Sequence, residues 1–393
     1  MLYRREAFEP LTETPWDEAV VRNAIRRMVA DVDAAYDPDA LWPADEWDGW
    51  QAAMPMKNLY VGAAGVINAL AVLRRRGVAD TTIDLAAAVR RTLDAFRAAP
   101  DFMQGLELPP QPEASLLCGE AGILLVSWGI TGEAGLAGAL LEHVHRNRDN
   151  AADDVMWGSP GTLVAARAML AATGEERWLR AWNESANRLL SRREADGLWT
   201  QRLYGGSYRG FGPAHGVVGN VAALLPGLDE ERRTRLERET AALLEREAVL
   251  ADGCANWPMR AGGPLQTDDR ETRLQWCAGA PGIVASAASY LYEELLLAGA
   301  RLVWQAGPPG MEKGAGICHG TAGNGYAFLK AFARTHDEEW LARARRFAVH
   351  ALEQVERRGR GRYSLWTGDL GVALYAADCL EPRTAYPILE TFE

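Results

Sequence analysis

Residues 61–70 read VGAAGVINAL, two glycines three apart followed at once by an apolar run, and the pattern returns six more times. The other copies are CGEAGILLV (118–126), WGSPGTLVAA (157–166), HGVVGNVAAL (215–224), AGAPGIVASA (278–287), HGTAGNGYAF (319–328) and TGDLGVALYA (367–376). The first glycines, Gly62, Gly119, Gly158, Gly216, Gly279, Gly320 and Gly368, follow one another at 39 to 63 residues, about the length of a helical hairpin with its loops. A lone Gly-x-x-Gly says nothing. Seven, each opening an apolar segment, form an internal repeat.

Between these segments lie charged amphipathic ones: residues 17–36, 81–99, 175–194, 229–247 and 337–358, whose apolar positions recur at helical spacing. Two resemble copies, because Glu-Glu-x-Trp-Leu around Trp178 matches Glu-Glu-Trp-Leu around Trp340. Strand signals, meaning sustained alternation with β-branched residues, are almost absent. An uncharged small-residue helix is buried all round, whereas a charged amphipathic helix has one wet face, so the alternation predicts an inner and an outer layer. Seven such pairs close into a ring. The expected fold is all-α, a seven-fold α/α toroid, with residues 1–393 as one domain. Each inner helix starts at its glycine turn and runs in the same sense, so the seven turns gather at one end, with backbones closely apposed and helix amides facing the cavity.

The composition fits a globular chain. Of 393 residues, 48% are hydrophobic and 24% charged, and 42 Lys and Arg against 53 Asp and Glu leave a net charge of −11. An acidic balance argues against gripping nucleic acid or anionic lipid, both of which call for a cationic field. No run reaches the length of a membrane span, and the start MLYRREAFEPLTETPW lacks the apolar stretch of a secretory signal, so a cytoplasmic location is expected. Five cysteines, Cys118, Cys254, Cys277, Cys318 and Cys379, suit free thiols or metal ligands better than a disulfide framework. With only Lys57, Lys313 and Lys330 as lysines, the basic residues are nearly all arginine, a hint of a GC-rich bacterial genome.

Residues of chemical interest flank the turns. Cys277 stands two before Gly279, Cys318 and His319 directly before Gly320, His215 directly before Gly216, and Asp154 four before Gly158. The fifth and sixth turns are neighbours in the ring, so Cys277 faces Cys318 and His319. Two thiolates and one imidazole make a tetrahedral zinc site with one position open, the pattern of a catalytic zinc. One zinc per chain is expected. Cys118 reads as core, Cys254 and Cys379 have no evident partner, and His143, His145, His336 and His350 read as solvated on polar helix faces. Trp157, Trp257, Trp276 and Tyr326, at helix starts, are candidates for the cavity wall as well as for core.

With WCAGAPG, ICHGTAGNGYAFL, AHGVVGN and the seven glycine turns, the chain resembles the lanthionine synthetase C-like (LanC-like) family over nearly its whole length. The resemblance implies a zinc held by Cys277, Cys318 and His319, and addition of a cysteine thiol to a dehydroalanine or dehydrobutyrine, giving a thioether. It also implies His215, Asp154 and Arg273 as catalytic residues, by their match to the family's active-site histidine, its aspartate and the arginine four before the first zinc cysteine. The implied substrates are a dehydrated peptide or protein and, as thiol donor, a peptide cysteine or glutathione; a dehydratase or kinase is a candidate partner. One position departs from the family: where bacterial cyclases usually carry tyrosine and eukaryotic relatives histidine, this chain has Ala278.

In that scheme His215 protonates the α-carbon after attack, Arg273 stabilises the enolate oxygen, and Asp154 orients His215 or assists thiol deprotonation. Other readings compete. Arg273 can serve as a plain ion-pair partner and Asp154 as a helix cap. An inverting glycosidase would use paired carboxylates, for which the turns offer Glu120, Asp154 and Asp369. A zinc prenyltransferase would add a basic diphosphate cluster, which is not evident. A non-catalytic toroid would bind a peptide or small molecule around a structural zinc.

Overall fold

The computed structural model describes residues 1–263, 265 and 272–393. After α1 (Glu18–Ala34) and a single turn, α2 (Glu46–Gly49), the chain makes six helical pairs. These are α3 (Ala63–Arg75) with α4 (Leu85–Ala98), α5 (Glu120–Thr131) with α6 (Ala134–Asn147), and α7 (Ser159–Thr173) with α8 (Glu176–Ser191). They continue as α9 (Val217–Leu224) with α10 (Glu230–Glu247), α11 (Ala280–Ala287) with α12 (Glu293–Ala306), and α13 (Thr321–Thr335) with α14 (Glu338–Arg358). The last helix, α15 (Asp369–Leu380), has no partner after it and packs instead on α1. Seven inner helices, α3, α5, α7, α9, α11, α13 and α15, each touch the next, and α15 touches α3, so the ring is closed. The N-terminal helix thus completes the outer layer that the C-terminal helix lacks.

The two layers arise as the charge pattern predicts. Every residue of α15 is buried, as are α9 and α11 apart from one residue each, whereas α10 buries only Leu236, Thr240, Ala241, Leu243 and Leu244 of its eighteen. Trp178 and Trp340, at matching points of α8 and α14, both turn inward. Outer helices α1, α4, α10 and α14 are capped by Asp17, Asp84, Asp229 and Asp337, whose carboxylates accept from backbone N–H groups of the first turn.

Inner helices start differently. The N-cap is in all seven cases the first glycine of the repeat, with no side-chain cap. The preceding loop wraps round the helix start, and its carbonyls take the free N–H groups from seven residues upstream: Ala63 to Met56, Val217 to Gly210, Thr321 to Gly314 and Asp369 to Arg362. At α11 the Asn256 side chain does this, accepting from Ala280 N at 2.8 Å. In these five turns the leading amides are therefore committed within the protein, contrary to the expectation that they face the cavity. So tight a wrap leaves no space for a Cβ. One added at Gly65 would lie 2.5 Å from the Leu59 carbonyl oxygen, and one at Gly161 2.5 Å from that of Val155. Gly279 has φ +103°, which also demands glycine.

The turns are linked into a ring of their own. The apolar residue three before the first glycine of one turn lies against the second glycine of the next: Leu365 at Gly65, Leu59 at Gly122, Leu116 at Gly161, Val155 at Gly219, Pro213 at Gly282 and Ile317 at Gly371. Residues two before the first glycine form a ladder of backbone hydrogen bonds. Cys277 N donates to Cys318 O, Cys318 N to Trp366 O, Trp366 N to Tyr60 O and Tyr60 N to Leu117 O, at 2.8–3.3 Å.

Two short hairpins interrupt the helices. Strands β1 (Gln201–Leu203) and β2 (Gly206–Tyr208) pair through a turn at Tyr204-Gly205, and β3 (Val249–Ala251) with β4 (Cys254–Asn256) through Asp252-Gly253. All four turn residues have positive φ, as tight hairpin turns require. At three residues each, these strands are too short to show alternation in sequence.

Placing alanine at Gly65 should lower stability by about 1–3 kcal/mol, the usual cost of overpacking. Gly138→Ala, exposed inside α6 with nothing within 4 Å of the added carbon, should raise it by about 0.5–1 kcal/mol. Thermal melting of the two variants decides; equal effects would deny the glycine turns their packing role.

Candidate metal centre and active site

Because the turns share one register, side chains at equivalent positions converge on the ring axis. Cys277 and Cys318 both stand two before the first glycine of their turn, and His215 and His319 one before. The ladder bond from Cys277 N to Cys318 O, 3.3 Å, fixes the two cysteines side by side. The ligand atoms of Cys277, Cys318 and His319 all lie within 4.8 Å of one another, with Cys318 Sγ 3.8 Å from His319 Nε2. Soft thiolates beside an imidazole suit zinc, and the spacing fits one ion held by all three. The other ring nitrogen, His319 Nδ1, is buried without a hydrogen-bond partner among the described residues.

Each sulfur accepts a hydrogen bond: Cys318 Sγ from Tyr60 Oη at 2.9 Å and Cys277 Sγ from Gln275 Nε2 at 2.7 Å. A hydrogen bond from the Cys318 thiol holds Cys277 well below the ordinary thiol range against the effect of burial, with His319 and Arg273 helping, whereas burial pushes Cys318 well above it.

Asp154 and His215 meet across two turns. Asp154 is fully buried, and its Oδ1 accepts from Trp157 N at 2.7 Å and Gly158 N at 3.3 Å, closing the third turn. Its Oδ2 lies 2.5 Å from His215 Nδ1. One oxygen of Asp154 closes the turn ahead of α7 without capping the helix itself, and the other holds His215 Nδ1. Burial of the imidazole lowers its pKa, but the charge and hydrogen bond of Asp154 outweigh this, so His215 sits above its ordinary value. Gly210 and Gly212 carry the loop to this point; a Cβ on Gly212 would lie 3.1 Å from the Cys277 carbonyl carbon, so the fourth and fifth turns lie in contact.

A cavity of about 460 Å³ opens here, lined by His215, Arg273, Cys277 and Ala278 on one side and by Tyr204, Tyr208, Met259 and Arg260 on the other. A second, of about 320 Å³, lies on the His319 side and shares Arg273. Arg273 is exposed, lies on the rim shared by the two cavities, and makes no ion pair among the described residues. Tyr208 Oη donates to Met259 O at 2.6 Å, and Arg260 lies over its ring, 5.0 Å from the centroid, fixing that wall.

The structure separates other residues from the site. Trp157, Trp257, Trp276 and Tyr326 are core, none of them lining either cavity: Trp257 donates to Leu244 O, Tyr326 to Asp378, and Trp276 stacks on Tyr386. His143 and His350, expected in solvent, are buried, His143 3.7 Å from Glu120 and His350 2.6 Å from Glu9; His145 and His336 are exposed as expected. Glu120 pairs with Arg97 at 2.7 Å and Asp369 with Arg358, so the carboxylates a glycosidase would need are committed elsewhere. Cys118 is buried, as read.

Tyr60, Gln275 and the tyrosines of the first hairpin escaped the sequence reading. Aligning the turns on their first glycine exposes Tyr60, which occupies the register position of the two cysteines.

Residues 54–392 match the family model described as lanthionine synthetase C-like protein. The chain belongs to that family. It is 34% identical over 206 residues to a protein named glutathione S-transferase LANCL1 from Danio rerio, covering 49% of this chain and 47% of that one. A LanC-like protein GCL1 from Arabidopsis thaliana is 28% identical over 189 residues, 44% of this chain and 41% of the relative. The matches thus span less than half the length of these curated relatives. Among solved structures, nisin cyclase shares the fold at a TM-score of 0.61, covering 94% of this chain and 96% of its own at 16% identity. Among the described residues no helix is long and apolar enough to cross a membrane.

Replacing Asp154 by Asn should lower the His215 pKa, read by NMR titration of the ring. The sign follows from linkage. A histidine raised in the folded state adds stability that is full below its unfolded value and fades as pH rises through the folded one, so the variant should lose stability mainly at acid to neutral pH. Asp154→Ala also opens the turn and should cost about 1 kcal/mol more. An unchanged titration would remove Asp154 from the control of His215.

Proposed function

We propose that this LanC-like protein adds a cysteine thiol, from a peptide or from glutathione, to a dehydroalanine or dehydrobutyrine residue, forming a thioether. The observation that carries this is the single cavity on which the Cys277 edge of the metal set, the Asp154-held His215 and Arg273 converge. Zinc held by Cys277, Cys318 and His319 would bind the thiol and lower its pKa, so that a thiolate exists at neutral pH.

The protein's own groups handle the charge that attack creates. When sulfur bonds to the β-carbon, the alkene electrons move toward the α-carbon and its carbonyl as an enolate. Arg273, an exposed guanidinium at the cavity edge, stabilises the enolate oxygen. His215, whose pKa Asp154 raises, carries the proton that the α-carbon needs, and its half-buried ring leaves it access to the cavity. Asp154 holds Nδ1, so Nε2 is the nitrogen that faces substrate. The pairing also predicts a pH profile that falls on the alkaline side as His215 loses its proton. The family match and a relative named as a glutathione S-transferase support thiol chemistry. Dehydrated peptide or protein is then the acceptor, and a dehydratase or kinase the enzyme class expected to supply it.

Zinc content of the wild type beside Cys277→Ala, followed by mass spectrometry after incubation with glutathione and a dehydroalanine peptide, tests this. Expected are one zinc per chain, lost in the variant, and a wild-type-only mass gain equal to the thiol. His215→Asn should keep zinc and slow the addition roughly 10²–10⁴-fold. Zinc without an adduct would favour the binding toroid, and no zinc would sink the proposal.

A further inference from the structure

Both sulfurs of the metal set accept a hydrogen bond from a buried side chain that the mechanism leaves without a task. Tyr60 Oη donates to Cys318 Sγ, and Gln275 Nε2 to Cys277 Sγ. Neither donor is free to turn elsewhere. Tyr60 is 4% exposed, its ring lies 5.6 Å from that of Trp50 and 5.8 Å from that of Trp366, and its backbone N and O are both engaged in the ladder. Gln275 is 5% exposed, and its backbone exchanges hydrogen bonds with Ala278, 3.1 Å in each direction, a tight turn that carries the amide back over residue 277.

A site that adds a thiol to an electrophilic alkene holds a hazard. Besides the substrate thiol it presents two sulfurs of its own, and Cys277 lines the cavity that receives the acceptor. Attack by either cysteine would form an Sγ–Cβ bond and break the alkene π bond. The π pair would then move to the α-carbon, which takes up one proton, leaving an alkylated protein with a lost metal ligand. A hydrogen bond to a thiolate withdraws electron density from sulfur and engages a lone pair, which lowers its nucleophilicity and tunes it as a ligand. We propose that Tyr60 and Gln275 are positioning residues that blunt the two ligand sulfurs, so that the substrate thiol, which has neither donor, is the sulfur that reacts. This rests on the zinc reading above.

The test uses zinc-loaded wild type, Tyr60→Phe and Gln275→Met, with iodoacetamide as the electrophile and peptide mass spectrometry to follow each cysteine. Tyr60→Phe should speed labelling of Cys318 about tenfold and leave Cys277 near its wild-type rate; Gln275→Met should do the reverse. Equal rates in all three proteins, or both cysteines accelerated together, would overturn the proposal while leaving the zinc reading intact. Wild type that holds no zinc overturns both. Tyr60→Phe removes a single oxygen and keeps the ring, so it decides alone should Gln275→Met fail to fold.

Discussion

The close approach of each loop to the helix it precedes is the constraint on which the rest depends. A carbonyl six residues upstream comes to rest where the Cβ of the second glycine would be, and carbonyls seven upstream take amides of the helix start. Any other residue would push the loop away and leave buried N–H groups unpaired, at a cost of about 1–3 kcal/mol each. The loops ahead of Gly62, Gly216, Gly320 and Gly368, bound in both ways, cannot slide along their helices, and at the other three turns the carbonyl still packs where the Cβ of the second glycine would be. Side chains four, two and one before the glycine are therefore delivered to fixed points at one end of the ring.

That delivery explains how residues from distant parts of the chain form one site without a loop dedicated to it. Cys277 and Cys318, 41 residues apart, are in register and joined by a backbone bond; Asp154 and His215 come from consecutive turns. Cys277 and Cys318 are held by the ladder, Asp154 by the turn it closes, and His215 by Asp154. Little conformational freedom remains to be lost when substrate arrives, which is the structural basis of pre-organisation. Asp154 illustrates the economy: the oxygen that closes its turn fixes the other one against His215.

Glycine spacing and ligand chemistry are local in sequence, and they carried the ring, its layers and the Cys277, Cys318 and His319 cluster. What they could not carry was the identity of the neighbours. Trp157, Trp257, Trp276 and Tyr326 sit beside glycine turns as cavity-wall residues would, yet each is buried against other side chains or backbone, Trp257 at Leu244 and both Trp276 and Tyr326 at Tyr386. Polar helix faces suggested solvent for His143 and His350; acidic partners on other elements, Glu120 and Glu9, draw them inside. A three-residue strand carries too few side chains for alternation, so the hairpin bearing Tyr204 and Tyr208 left only its turn residues as a trace.

Ala278 gains its meaning from the same register. It stands one before the first glycine, the place of His215 in the fourth turn and His319 in the sixth, between which it lies. A long side chain there would extend into the space that His215 and the metal set both border. With only a methyl group at this position, that space belongs to the cavity, and its shape passes to the facing wall of Tyr204, Tyr208, Met259 and Arg260. The turn nonetheless keeps its structural work, because Ala278 engages Gln275 through backbone atoms alone. The residue at 278 can thus vary without loosening the sulfur of Cys277, which separates the shaping of the cavity from the integrity of the metal set.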